Sequence, residues 1–243
     1  GDLPLLAPGN HLTIQRGEEF KFSPAVETQL NAKWDAAVAG GMDIAMVGVD
    51  WVALEPAPGV YDKAKLEEPL KACQAKGLQP VLLLTTLDSE GYYALPSEFV
   101  DPNDDDKLAK GMHIDDPKIV ARFESLLDWV VPMLLKYNGF LLPIANEPES
   151  LFGGKGEEQQ QFVNFLIAAR EHTRTITKDL PVTATLTRAV LTGDLDNVIA
   201  ECDFAYFNYY GQSDDFKPEP SSMVSQRIDE LLAVARDRQL LLQ

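Results

Sequence analysis

The sequence predicts an α/β chain, a (β/α)8 TIM barrel whose 243 residues end at about the seventh strand. Three observations predict it. Short apolar runs alternate with segments of helical periodicity along the whole chain, which implies parallel strands joined by helical crossovers. Runs such as "PVLLL" (80–84) are apolar at every position, as expected when both faces of a strand are covered. The length is close to the roughly 250 residues of such a barrel.

The elements follow in order. A first run, His11 to Gln15, leads to Ser23-Pro24, an N-cap and N1 pair, and then to Val26, Leu30, Trp34 and Val38 at helical spacing. Gly40-Gly41 stops that helix. "DIAMVGV" (43–49) is strand-like, and Leu66, Leu70 and Cys73 mark a helix that runs to Gly77. After "PVLLL" comes a long loop, and Asp116-Pro117 opens a helix through Ile119, Phe123, Leu127, Val130 and Leu134. "FLLPIA" (140–145) is the next strand, and Phe162, Leu166, Ala169 and Ile176 mark the next helix. "PVTATL" (181–186), a short helical turn at "NVIAEC", "DFAYFNYY" (203–210), a helix with Val224, Ile228, Leu231 and Ala235, and "QLLLQ" complete the series.

Seven strands thus alternate with six helices. No low-complexity or linker-like stretch divides them, so residues 1–243 are expected to form a single domain. An eight-stranded cylinder needs one strand more, so the natural domain is expected to continue beyond Gln243. The chain starts at Gly1 and not Met, in keeping with removal of an upstream segment.

Composition narrows the function. Lys and Arg number 21 against 38 Asp and Glu, and a net charge of −17 repels phosphate backbones and anionic lipid. Nucleic acid and membrane are therefore not expected as partners, and no apolar run approaches the roughly 20 residues of a spanning helix. Cys73 and Cys202 read as two buried thiols. With three histidines and no His-x-His or His-x-x-x-His pair, zinc chemistry is disfavoured, and no metal or cofactor is expected.

In a barrel of this kind the working groups sit where strands end. Those positions hold Gln15 and Arg16, Asp50 and Trp51, Asp88 and Glu90, Asn146 with Glu147 and Glu149, Thr187 and Arg188, and Asn208 with Tyr209 and Tyr210. Carboxylates, amides and aromatic rings together suit a carbohydrate, because hydroxyls need amides and carboxylates, and glycosidic cleavage uses two carboxyl groups.

Three segments carry a family resemblance. "GMDIAMVGVDWVALEPAPGVYD" (41–62) resembles the second strand and following loop of the clan A glycoside hydrolases, "IANEPE" (144–149) the Asn-Glu-Pro signature ending their fourth strand, and "DFAYFNYYG" (203–211) their sixth strand. The order and spacing match, so the resemblance covers most of the chain. It implies a retaining hydrolase of β-linked glycans or glycosides with Glu147 as general acid/base, Asn146 on the sugar 2-hydroxyl, and Tyr209 or Tyr210 on the nucleophile or the sugar. Asp50, Trp51 and Glu149 join these as substrate-binding positions. The clan's second-strand Arg has no counterpart in "IAMVGV", and the nucleophilic Glu is expected just beyond Gln243. A non-catalytic carbohydrate-binding barrel is the alternative. A lyase or aldolase is disfavoured, since no Lys sits at a strand end. By analogy with polysaccharide-degrading relatives, the expectation leans to a secreted or periplasmic protein.

Several features have plainer readings. Trp51 is open between a sugar platform and a lid over the barrel rim. Asn-Glu-Pro could also be a helix entry with Asn146 as N-cap. Tyr209 and Tyr210 alternate in direction, so at most one faces the barrel mouth. "DPNDDD" (101–106) lacks the Gly and the bidentate Glu of a calcium loop and reads as solvated. "GGKGEE" (153–158) lacks Walker spacing, Trp34 and Trp129 read as packing residues, His172 as surface, and His113 as a residue of the loop after the third strand.

Overall fold

The computed structural model of the chain describes residues 24–152, 156–212 and 217–242. Six parallel strands form its centre: β1 (Ile44–Asp50), β2 (Gln79–Thr85), β3 (Leu142–Asn146), β4 (Val182–Leu186), β5 (Ala205–Phe207) and β6 (Leu240–Leu242). The main helices are α1 (Pro24–Ala39), α2 (Lys63–Ala75), α3 (Pro117–Lys136), α4 (Glu157–Ile176), α5 (Asp196–Glu201) and α6 (Val224–Ala235).

β1 pairs with β2 from Ile44–Gln79 to Asp50–Thr85, and β3, β4, β5 and β6 follow one another as parallel neighbours. A parallel bridge between Val81 and Leu141 joins the two groups, supported by Leu82 N–H donating to Leu141 O at 3.0 Å and Thr86 N–H to Ile144 O at 3.1 Å. Each strand therefore lies beside the next one in sequence. This singly wound order is that of barrel staves; a doubly wound sheet would reverse it at a switch point.

Side-chain alternation splits the core in two. Val47 and Val49, Leu82 and Leu84, Ala205 and Phe207 face the helices in the main core, while Ile44, Val81, Leu141, Tyr206 and Leu241 form a second cluster inside the arc. The inward parity that holds Ile44 and Tyr206 at the bottom carries Asp50 and Asn208 to the C-terminal ends. That parity is what positions the site.

The helix entries follow local chemistry. Asp116 accepts the Lys118 N–H at 2.9 Å with Pro117 in the first turn, and Asp62 accepts from Ala64 and Lys65 at the start of α2. α3 buries Ile119, Phe123, Leu126, Leu127, Val130, Val131 and Leu134. At its exit, a Cβ on Gly139 would lie 2.2 Å from the Leu134 side chain, so only glycine fits the tight return into β3.

The expected strand at His11–Gln15, together with Ser23 and residues 153–155, lies outside the described residues. The long loop after β2 is more ordered than expected. It carries two antiparallel ribbons, Leu87–Asp88 with Tyr92–Tyr93 and Val100–Asp101 with Asp104–Leu108, so "DPNDDD" is the tip of a hairpin. Cys73 and Cys202 are buried and free, and Trp129 stacks on Tyr61 at 4.9 Å.

Candidate active site

The end of β3 does not run straight into a helix. Asn146 still pairs with Thr185, and the Glu147 N–H donates to Thr185 O at 2.8 Å, but Glu147 itself has φ of 50°. A left-handed conformation costs a non-glycine residue roughly 1–2 kcal/mol, and such strain clusters at functional sites. The short helix Glu149–Phe152 begins only after Pro148, so Asn146 is not its N-cap.

A chain of hydrogen bonds surrounds Glu147. Its Oε1 accepts from Asn208 Nδ2 and from the Tyr210 hydroxyl, both at 2.5 Å. Asn208 Nδ2 also donates to Asn146 Oδ1 at 3.3 Å. Asn146 Nδ2 in turn donates to Asp88 Oδ2 at 3.4 Å and Ser89 Oγ at 3.2 Å. The ends of β3 and β5 and the hairpin after β2 are thereby tied together. The phenol of Tyr210 holds its proton above the usual range, chiefly because its hydroxyl end is drawn out of solvent although the residue as a whole is exposed, and then because the Glu147 carboxylate accepts it.

Oε1 of Glu149 accepts the Thr187 N–H at 2.7 Å, while its Oε2 is buried without a hydrogen-bond partner among the described residues. Burial, opposed by the Thr187 hydrogen bond and reinforced by the charge of Glu147, raises its pKa.

These groups line a cavity of about 730 Å³, bounded by Glu147, Glu149, Arg188, Asn208, Tyr209 and Tyr210 among others. Its volume is in the range of small-molecule sites. Arg188 donates to Gln212 O at 3.2 Å and to Glu219 Oε1 at 3.1 Å, and Arg227 of α6 grips Glu219 and Glu230. This ionic wall fixes the loop after β5 against the cavity.

The positions expected from sequence separate into those that join this site and those that do not. Glu147, Glu149, Tyr209 and Tyr210 line the cavity, and Asn146 touches it through Asn208. Tyr210 bonds Glu147, whereas Tyr209 packs against the main core with its hydroxyl buried and without a hydrogen-bond partner among the described residues. Asp50 is 7% exposed and accepts from the Tyr92 hydroxyl at 3.4 Å, outside the cavity lining.

Trp51 requires a correction. It is 0% exposed, packs on Phe99 and Phe123 with ring centroids 6.2 and 5.0 Å away, and donates Nε1–H to Glu55 Oε2 at 2.8 Å. A sugar cannot stack on it. The helical turn Trp51–Leu54 folds the ring beneath the rim as a core residue.

Asn208, Thr187 and Arg188 are strand-end residues to which the sequence assigned no role, although Asn208 shares its parity with Tyr210. Ser89, Gln212 and Arg227 gave no signal, because a loop or helix residue is invisible to a reading of strand ends. Among the described residues no group of three or more His, Cys, Asp or Glu could hold a metal ion, and no helix is long and apolar enough to cross a membrane.

No family model and no curated protein matches the chain. Solved structures do. A structure described as apo β-glucosidase 1317 superimposes with a TM-score of 0.62 at 14% identity, over 89% of this chain and 67% of that one. The fold is a TIM barrel. The β-glycosidase BGL167 gives 0.58 at 15% identity over 87% of this chain and 65% of its own. A GH5_18 protein from Bifidobacterium longum subsp. longum, solved in complex with Manβ1-4GlcNAc, gives 0.56 at 14% over 74% and 45%. The chain thus spans between about half and two thirds of the length of these solved structures, and at such identity the likeness is one of fold.

Proposed function

We propose that the protein is a glycoside hydrolase that cleaves a β-linked glycan or glycoside with retention, with Glu147 as its general acid/base. The observation that carries this reading is the setting of Glu147. It is a carboxyl group at a strand end, held at positive φ, facing a cavity, with two donors on one oxygen.

Those two donors favour one oxygen as the carrier of the proton. Oε1 accepts from both Asn208 and Tyr210, so the proton that Glu147 delivers to the glycosidic oxygen is carried on Oε2. In the second half-reaction the same group takes a proton from water. Asn146 orients Asn208, and the exposed ring of Tyr210, 61% accessible, offers the sugar the aromatic face that Trp51 does not. Retention requires a second carboxylate about 5–5.5 Å from the first. The resemblance to clan A assigns that carboxylate to a Glu at the end of the clan's seventh strand. A β-linked carbohydrate as substrate is supported by the fold relatives, which include a β-glucosidase and a protein bound to Manβ1-4GlcNAc.

The test uses the full-length protein and its Glu147→Gln variant with aryl and alkyl β-glycosides. The variant should lose about 10²–10⁴-fold on alkyl glycosides, whose leaving group needs protonation, and far less on 4-nitrophenyl glycosides. Equal activity of the two proteins on alkyl glycosides refutes the assignment. Binding of glycosides without release of reducing sugar by the unaltered protein would leave a carbohydrate-binding barrel instead.

A further inference from the structure

This inference rests on the glycoside reading above and adds the residue that selects one hydroxyl of the sugar. Two amides stand at the strand ends beside Glu147, and the resemblance points to Asn146 for hydroxyl recognition. Their hydrogen bonds differ. Asn146 donates to Asp88 and Ser89 and accepts from Asn208, so its amide is engaged on both sides within the protein. Asn208 donates through Nδ2 to Asn146 and Glu147, and its Oδ1 is buried with no partner among the described residues, in a side chain only 5% exposed.

The orientation of the Asn208 amide follows from its neighbours. Turned over, it would press its oxygen against Oε1 of Glu147, an acceptor that already takes the Tyr210 hydroxyl proton. What remains open on Asn208 is therefore an acceptor. Buried acceptors are normally satisfied, and this one belongs to a residue lining the cavity. The group that fits is a hydroxyl donor. Two further unpaired buried atoms, Glu149 Oε2 and the Tyr209 hydroxyl, belong to residues of the same lining, which suits a ligand with several hydroxyls.

We propose that Asn208 Oδ1 accepts a hydrogen bond from a ring hydroxyl of the sugar unit held at Glu147, making Asn208 a specificity-determining contact. The site takes a neutral sugar with a free hydroxyl at that position and rejects the deoxy or O-methyl form, which has no proton to give.

The experiment compares the full-length protein with Asn208→Ala on 4-nitrophenyl β-D-glucoside and β-D-mannoside and on their 2-, 3-, 4- and 6-deoxy analogues. In the unaltered protein, deleting one particular hydroxyl should lower kcat/KM about tenfold or more, because a buried acceptor is left unpaired. In Asn208→Ala every substrate is slowed through the donor lost from Glu147, yet the extra penalty at that one position disappears while the others persist. Should the alanine variant fail to fold, Asn208→Leu, which keeps the size and offers no acceptor oxygen, should lose the penalty at that position. An identical pattern of penalties in Asn208→Ala and the unaltered protein overturns the proposal and leaves the glycosidase reading intact, as does indifference of the unaltered protein to all four deletions. If the unaltered protein neither hydrolyses these glycosides nor binds them in an NMR titration, the glycosidase reading falls and this inference with it.

Discussion

Tyr210 donates its hydroxyl to Oε1 of Glu147 at 2.5 Å although its own ring is 61% exposed. An exposed aromatic residue thus reaches in from the rim to fix the carboxyl group at the cavity wall. Removal of that hydroxyl in Tyr210→Phe should cost kcat roughly tenfold by freeing the Glu147 side chain. Stability should change by less than about 0.5 kcal/mol, as for other exposed positions. Steady-state kinetics and a thermal melt check both halves, and a large fall in Tm with unchanged kcat would contradict them.

Trp51 and Glu55 make the opposite case, a pair that belongs to the scaffold. Glu55 is 2% exposed and accepts from Trp51 Nε1, Gly59 N and Arg122 Nε. Trp51→Phe removes one donor and leaves a gap among Phe99 and Phe123. It should destabilise the fold by about 1–3 kcal/mol, the cost of an unsatisfied buried group. Because no sugar touches the ring, KM should stay within twofold, and saturating glycoside should not quench the fluorescence of Trp51 in a protein where Trp34 and Trp129 are replaced by Phe.

Glu67 should dominate the response to acid. Lys136 and Tyr137 donate to its Oε1 at 2.9 and 2.8 Å, with Lys71 3.2 Å from Oε2, and these bonds hold its carboxyl down at about 2, against an ordinary 4.5. A depressed carboxylate stabilises the fold above its unfolded value and loses that contribution as the pH falls through the folded one. Glu67→Gln should therefore lower Tm at pH 7, and the gap should close as the pH falls from about 4.5 toward 2. A gap independent of pH would show that the ionised form does not matter.

Much of this was legible in the sequence because apolar periodicity is a local property. "PVLLL" and "PVTATL" become β2 and β4 within a residue of the expected bounds, and Asp116-Pro117 starts α3 as its cap chemistry dictates. Glu147 was legible for the same reason: a strand pattern that ends in Asn-Glu-Pro places the carboxyl at a strand end. The two readings of Trp51 stayed open because a strand-end position does not reveal which way the following turn rolls. The one local hint was Glu55 four residues on, at the spacing of a helical hydrogen bond. The pairing of Asn146 with Ser89 and the contact of Arg227 with Glu219 depend on how loops fold back on the barrel, for which periodicity holds no information.

Glu149 provides the complementary test at neutral pH. Its Oε1 is fixed by the Thr187 N–H, its Oε2 has no hydrogen-bond partner among the described residues, and burial with Glu147 nearby raises its pKa above the ordinary 4.5. For a raised carboxyl group the sign is the reverse of that for Glu67: stability is fully present below about 4.5, the unfolded value, and declines as the pH climbs through the folded one. Glu149→Gln cannot ionise and still offers an oxygen to Thr187. The variant should match the unaltered protein near pH 4 and gain on it as the pH rises above about 4.5, until Glu149 is ionised in the folded protein as well, when Tm is followed from about pH 4 to 8. A variant less stable than the parent at pH 8 would mean that the carboxylate has a favourable partner in solution, and that Glu149 enters the site as an ion.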